Sequence, residues 1–137
     1  MDKPPRIEPK LVAAPKVRGV YWCDFWKDVM LPEMWKKRPV LVVSYKNTLF
    51  GPCTVLAIST DPQEEGCSAE WGYKLPMQIQ KGRDSWVVCN HLYTVSPSRL
   101  EQVRGKILRI GEEPFHEILD KMLKWLPKIP DPILPLK

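Results

Sequence analysis

Short apolar runs divide the middle of the chain into strands. Over residues 17–25, apolar or small side chains recur at every second position, which predicts a first strand with one mainly buried face. Two β-branched runs, 39–44 and 54–59, have the composition of central antiparallel strands, and Gly51-Pro52 marks a turn between them.

Weaker signals follow in the second half of the chain. The acidic stretch 61–70 is expected to be a loop, and 71–79 a strand that Pro76 interrupts at an edge or bulge. A further strand is predicted over 85–90, with a continuation over 92–95 after a break.

Two helical signals complete the pattern. Ser96 before Pro97 is typical of a helix cap and predicts one helical turn. Residues 112–126 have apolar side chains at helical spacing, glutamates in the first turn and lysines toward the end, so they predict an amphipathic helix that packs on the sheet and stops at Pro127. We therefore expect a mainly β fold, a small barrel or strongly bent sheet with a C-terminal amphipathic helix.

Prolines set the expected limits of the folded part. Eight of the 15 prolines lie in the first 15 and the last 11 residues. Since proline removes a backbone donor and fixes φ, 1–16 and 127–137 are predicted to be Pro-rich tails. A chain of 137 residues rarely divides into two cores, so 17–126 is expected to be one domain.

The composition narrows the setting of the protein. No apolar run reaches the roughly 20 residues of a membrane span, and the first residues lack a secretory signal, so we expect a cytoplasmic protein without membrane contact. The four cysteines form no Cys-x-x-Cys pair and are expected to be free thiols.

Positive charge is concentrated in two segments. Residues 1–59 contain ten Lys or Arg against five Asp or Glu, and residues 81–110 contain six against two. Joined on one face, these segments would attract a polyanion, whereas separate lysines would only keep the surface soluble.

The sequence lacks the motifs of several enzyme classes. It has two histidines, no His-Glu-x-x-His, no Gly-x-Ser-x-Gly and no nucleotide-binding glycine loop. We therefore expect neither a metal nor another cofactor.

The strongest chemical signal is Lys36-Lys37-Arg38 at the head of a strand, after a loop that contains Trp26 and Trp35. A guanidinium matches a phosphate bidentately, and tryptophan faces stack on unpaired bases, so this segment is a candidate for binding single-stranded RNA. Solubilising charge ahead of an apolar strand is the alternative.

An ordered set of segments over residues 17–126 resembles the MazF/PemK toxins. The matching segments are Arg18-Gly19-Val20-Tyr21-Trp22, Lys37-Arg38-Pro39-Val40-Leu41-Val42-Val43-Ser44, Val55-Leu56-Ala57-Ile58-Ser59-Thr60 and Thr94-Val95-Ser96-Pro97-Ser98-Arg99-Leu100, followed by the terminal helix. The resemblance implies an SH3-like barrel, a homodimer, an antitoxin partner, and cleavage of RNA by attack of a ribose 2′-hydroxyl that leaves a 2′,3′-cyclic phosphate.

The resemblance also implies site residues. The family's arginine matches Arg38, and its threonine at the end of the next strand matches Ser59, with Thr60 one position on. The alignment favours Ser59, although either residue supplies a hydroxyl. Arg18, at the start of the first matching segment, joins Lys36 and Lys37 as an RNA-binding candidate.

Two further positions depart from the family pattern. His91 stands where glutamine is usual and Tyr93 where arginine is usual. A histidine near a strand end is a candidate for proton transfer, and a hydrogen-bonded, partly buried histidine is the alternative.

Other functions remain open. A non-catalytic barrel that binds RNA or protein, a relative of the gyrase poisons, or a purely structural interaction domain would have a similar pattern. The gyrase poisons of this fold end in Trp-Gly-Ile, whereas this chain ends in Pro135-Leu136-Lys137, which counts against that relative.

Overall fold

One antiparallel sheet forms the centre of the protein, whose computed structural model describes residues 3, 7–25, 30, 36–61, 67–103 and 107–130. The elements are β1 (Gly19–Asp24), β2 (Lys37–Val42), β3 (Cys53–Ser59), α1 (Cys67–Trp71), β4 (Gly72–Lys74), β5 (Trp86–Val95), a 3₁₀ turn (Pro97–Arg99), β6 (Leu100–Gln102), β7 (Leu108–Arg109) and α2 (Glu112–Trp125). The sheet order is β4-β5-β3-β2-β1-β6, and β7 also pairs with β1. Neither helix within the described ranges is long and apolar enough to cross a membrane.

The sheet curls into a half barrel. In the sheet, β2 and β3 lie between β1 and β5. Phe25 directly follows β1 and Tyr93 lies in β5, yet their ring centroids are only 5.1 Å apart. Contact between such distant strands requires the sheet to bend toward this face, which we call the concave face. The concave core consists of Leu11, Tyr21, Cys23, Phe25, Val40, Val42, Cys53, Val55, Ala57, Val88, Val95 and Leu100.

The opposite, convex face is covered by α2 and by the segment after β4. Phe115 and Ile118 of α2 are buried against sheet residues such as Leu41 and Leu56. The amphipathic pattern placed these apolar side chains on one side of the helix, and their burial removes them from water. The predicted mainly β fold with a C-terminal amphipathic helix is confirmed.

The apolar side chains in the last turn of α2 do not pack on the sheet. Leu123 is 58% exposed and Trp125 is 52% exposed. Trp125 contacts Trp71 of α1 edge to face, with ring centroids 5.3 Å apart. The helix therefore packs on the sheet through Phe115, Ile118, Leu119 and Met122, and the side chains of its last turn stay largely exposed.

Three details of the second half also differ from the prediction. Residues 71–79 do not form one strand, because β4 ends at Lys74 and the following Leu75 and Ile79 are buried from an irregular segment. Their N–H groups donate to the carbonyl and the hydroxyl of Ser85. The predicted loop 61–70 contains the start of α1, and the predicted break in β5 is an irregularity within one continuous strand.

The N-terminal segment is tied to the domain. Residues 7–16 have no helix or strand, as the prolines predict, but Leu11 lies in the concave core and Pro15 is buried. At the other end, residues 127–130 are exposed. Part of the segment that precedes the expected domain therefore packs on the concave core.

Candidate functional site

Strand register brings Arg38 and Ser59 to the same face. In the ladder between β2 and β3, Val40 pairs with Ala57, and continuing it by two residues places Arg38 opposite Ser59. Directly opposite residues of an antiparallel pair point to the same side with Cβ atoms about 5 Å apart. Since Val40 and Ala57 belong to the concave core, both candidates point to the concave face, at one end of the sheet.

Arg38 is half-buried and lies opposite Cys23 of β1 in the neighbouring ladder. Burial raises the pKa of the Cys23 thiol to about 12, so this thiol stays protonated and is no nucleophile at neutral pH. The chemistry that Arg38 brings is therefore a fixed positive charge with forked donors beside an inert neighbour.

The two candidate hydroxyls occupy different environments. Ser59 is 5% exposed, and its Oγ accepts a hydrogen bond of 3.1 Å from the backbone N–H of Asp61. That bond occupies an oxygen lone pair, so the hydroxyl proton still serves as a donor. Thr60 is half-buried and, by alternation, follows on the side opposite to Ser59. Strand register therefore favours Ser59 as the hydroxyl that acts beside Arg38, whereas solvent accessibility favours Thr60.

His91 lies at an irregularity between β3 and β5. Four β5 residues, 88–91, lie opposite Ala57 alone. The alternation along β5 places His91 on the concave side together with Tyr93. His91 is half-buried, and its buried Nδ1 has no hydrogen-bond partner within the described ranges. Burial lowers the pKa of His91, so its imidazole is neutral at pH 7.

Basic side chains gather around the start of β2. Lys36 is exposed and has a left-handed backbone, with φ of 59°. Lys37 contacts Glu101 of β6 at 2.8 Å, and Lys10 binds the same carboxylate. Arg99, which the sequence analysis did not select, donates to the carbonyl of Asp24 at 2.9 Å.

The other residues predicted to bind RNA are not all found at the end of the sheet that contains Arg38 and Ser59. Arg18 precedes β1 at the opposite end of that strand from Cys23, and its Nη1 donates to the carbonyl of Ile110 at 3.3 Å. Arg18 therefore fixes the junction between β1 and α2. Trp26 and Trp35 lie outside the described residues.

One buried neighbour escaped the sequence analysis. Trp86 of β5 pairs with Ser59 and is 8% exposed. Its place beside the hydroxyl depends on the register of β3 with β5, for which the linear sequence has no signal. Among the described residues no group of His, Cys, Asp or Glu side chains is arranged to hold a metal ion.

We expect the stability of the protein to fall as the pH decreases below 6.5, the ordinary pKa of histidine. Burial lowers the pKa of folded His91, so the unfolded chain takes up the proton first and stability is lost between 6.5 and the folded pKa. Melting temperatures from pH 8 to 5 measure the loss, and His91→Gln is expected to reduce it. An equal pH dependence in both proteins would contradict the prediction.

Comparison with known proteins identifies the family. Residues 16–126 match the family described as PemK-like, MazF-like toxin of type II toxin-antitoxin system. No curated protein sequence matches the chain significantly.

Three solved structures have a similar fold. MazF (Form-I) from Deinococcus radiodurans has a TM-score of 0.64 at 18% identity, covering 82% of this chain and 96% of that one. An endoribonuclease from a mycobacterial species has a TM-score of 0.58 at 18% identity, covering 82% and 91%. The MazE–MazF structure (Form-II) from Deinococcus radiodurans has a TM-score of 0.59 at 17% identity, covering 82% and 96%. By its family match and its fold, the chain belongs to the PemK-like, MazF-like toxins of type II toxin–antitoxin systems.

Proposed function

We propose that the protein is an endoribonuclease toxin that cleaves single-stranded RNA without a metal ion. The observation that carries the proposal is the β2–β3 register, whose continuation by two residues puts Arg38 and Ser59 on the concave face, in a chain of the MazF/PemK family. The solved endoribonuclease of similar fold supports the same activity.

RNA supplies its own nucleophile in this reaction. The ribose 2′-oxygen attacks the adjacent phosphorus and loses its proton, the bond from phosphorus to the 5′-oxygen breaks, and that oxygen takes up a proton. The products are a 2′,3′-cyclic phosphate and a 5′-hydroxyl. The protein must align these atoms and stabilise charge on the phosphate, and neither task requires a metal ion in principle.

Arg38 is assigned to the phosphate. A guanidinium donates two hydrogen bonds to the non-bridging oxygens and stabilises the extra negative charge of the pentacoordinate state. A guanidinium is not deprotonated in proteins, so Arg38 stays charged and does not serve as the base.

A hydroxyl group is proposed as a second hydrogen-bond donor to the phosphate, beside Arg38. Ser59 faces the same side as Arg38, and its buried position requires neighbouring groups to move aside when RNA binds. Thr60 is the second candidate because it is more accessible.

His91 is assigned to proton transfer. Its low pKa keeps the imidazole neutral, which is the form that accepts a proton from the 2′-hydroxyl. Its Nδ1 has no hydrogen-bond partner among the described residues, which supports this role because that nitrogen is not engaged by another protein group.

In the cell, the proposed enzyme is a cytoplasmic homodimer that cleaves messenger RNA and thereby inhibits translation and growth. A cognate antitoxin is proposed to bind and silence it, which the MazE–MazF structure of similar fold supports. A barrel that binds RNA or protein without cleaving is the second candidate function, because Ser59 is buried.

We expect purified protein to cleave mixed-sequence RNA in the presence of EDTA and to leave 2′,3′-cyclic phosphate ends. Arg38→Ala is expected to lower kcat about 10³-fold, because it removes the charge at the phosphate. End mapping and initial rates measure both effects. Intact RNA with a folded wild-type protein would support the non-cleaving barrel, and cleavage that EDTA abolishes would contradict metal independence.

Ser59→Ala and Thr60→Ala distinguish the two hydroxyls. We expect Ser59→Ala to lower kcat about 10²-fold and Thr60→Ala to leave it nearly unchanged. Ser59→Thr, which restores the family residue, should retain cleavage. Melting temperatures control for loss of the Ser59 hydrogen bond to Asp61. The opposite ranking of the two alanine variants would assign the donor to Thr60.

His91→Gln is expected to lower kcat and to remove the acidic limb of its pH profile. The variant restores the residue usual in the family and keeps a polar side chain at this position. Initial rates from pH 5 to 8 provide the profile. Full cleavage with an unchanged profile would show that His91 is only a buried, structural residue.

A further inference from the structure

The row of side chains that contains Arg38 and Ser59 continues to the edge of the sheet. Trp86 of β5 lies opposite Ser59, and Lys74 of β4 lies opposite Trp86. Residues directly opposite one another share a face, so Ser59, Trp86 and Lys74 form one line across β3, β5 and β4, and the β2–β3 ladder, continued by two residues, adds Arg38 at its inner end. We call this line the cross-sheet row.

The outer end of the row presents a supported positive charge. Lys74 Nζ is 6.0 Å from the centroid of the Trp86 ring, within cation–π range. Trp86 is 8% exposed, whereas the Lys74 side chain is 53% exposed. The Lys74 ammonium group therefore lies over the buried Trp86 ring and is exposed to solvent on its other side.

The ion pair of Lys74 leaves it available to another anion. Asp84 Oδ2 is 3.4 Å from Lys74 Nζ, and the Asp84 side chain is 51% exposed. Exposed pairs of this kind contribute little to stability because water screens them. A phosphate with two charged oxygens competes effectively with one exposed carboxylate.

The spacing suits a polymer with several charges. Three steps between neighbouring strands separate Arg38 from Lys74, about 14 Å along the sheet and less where it curls. A single RNA strand that follows the row would bring the scissile phosphate to Arg38 and another phosphate to Lys74.

We propose that Lys74, supported by Trp86, forms a second phosphate subsite that binds the RNA backbone away from the scissile bond. The subsite rests on the proposed endoribonuclease function and extends it, since it sets the direction of the strand across β3 and β5. Lys74 takes part in binding, and Asp84 opposes that binding as a competing anion.

The test compares steady-state cleavage of mixed-sequence RNA by Lys74→Met and wild type over a series of salt concentrations. We expect KM to rise about threefold to fivefold and kcat to stay nearly constant, because the contact is made equally in the ground and transition states. The slope of log(kcat/KM) against log[salt] should become shallower by about 0.7, the value for one phosphate contact on a single strand.

Asp84→Asn gives a change of opposite sign. Removing the competing carboxylate should lower KM by about twofold, and asparagine keeps an acceptor for Gln78, which donates to Asp84 Oδ1 at 3.4 Å. A purely structural role for the Lys74–Asp84 pair predicts instead that both variants lose stability and that neither tightens binding.

The Lys124–Asp120 pair supplies matched controls. It joins atoms 3.3 Å apart on α2, and its side chains are 63% and 72% exposed. Lys124→Met and Asp120→Asn change the same charges away from the row and should leave KM and the salt slope nearly unchanged.

The outcomes separate this subsite from the nuclease proposal. If wild type cleaves, Arg38→Ala does not, and Lys74→Met matches Lys124→Met in KM and salt slope, the subsite is refuted and the nuclease proposal stands. If folded wild type leaves RNA intact, both are refuted. A selective rise of KM for Lys74→Met together with a lower KM for Asp84→Asn supports the subsite.

Discussion

The antiparallel register of β2 on β3 is the constraint on which the candidate site depends. Continued by two residues, it brings Arg38 level with Ser59, and β1 on one side and β5 on the other add Cys23 and Trp86 to the same line. A shift of one residue would turn every side chain of one strand to the other face. Apolar residues on both faces resist such a shift, because it would expose one set and bury the wrong one.

Packing on both faces of the sheet therefore holds the strands in the register that aligns these residues. Val40 and Ala57 fill the concave core, while Leu41 and Leu56 fill the convex core under α2. Both faces of the central strands are buried, so the polar positions are found where the strands end. Sites at strand ends on a rigid sheet hold their side chains in a fixed geometry.

Burial decides which side chains of the sheet carry charge. Burial keeps the thiols of Cys23, Cys53 and Cys89 protonated, with each pKa raised to about 11 or 12. It also keeps His91 neutral by lowering its pKa. Positive charge is thus held by the arginine and lysine side chains near the sheet ends, where a polyanion meets it. In the proposed reaction RNA supplies the nucleophile, so a site with one positively charged group for the phosphate and few other reactive groups is sufficient.

The sequence by itself determined the β-rich fold, the terminal helix and the candidacy of Arg38, because apolar periodicity, capping residues and family segments are local signals. It did not determine that Leu11 packs into the concave core, that Arg18 lies at the far end of β1, or that Trp86 is the neighbour of Ser59. The relations of Arg18 with Ile110 and of Ser59 with Trp86 join residues that are 92 and 27 positions apart in the chain. Strand pairing and the curl of the sheet decided them, since hydrogen bonds between distant strands and the packing of two faces are set only when the whole chain folds.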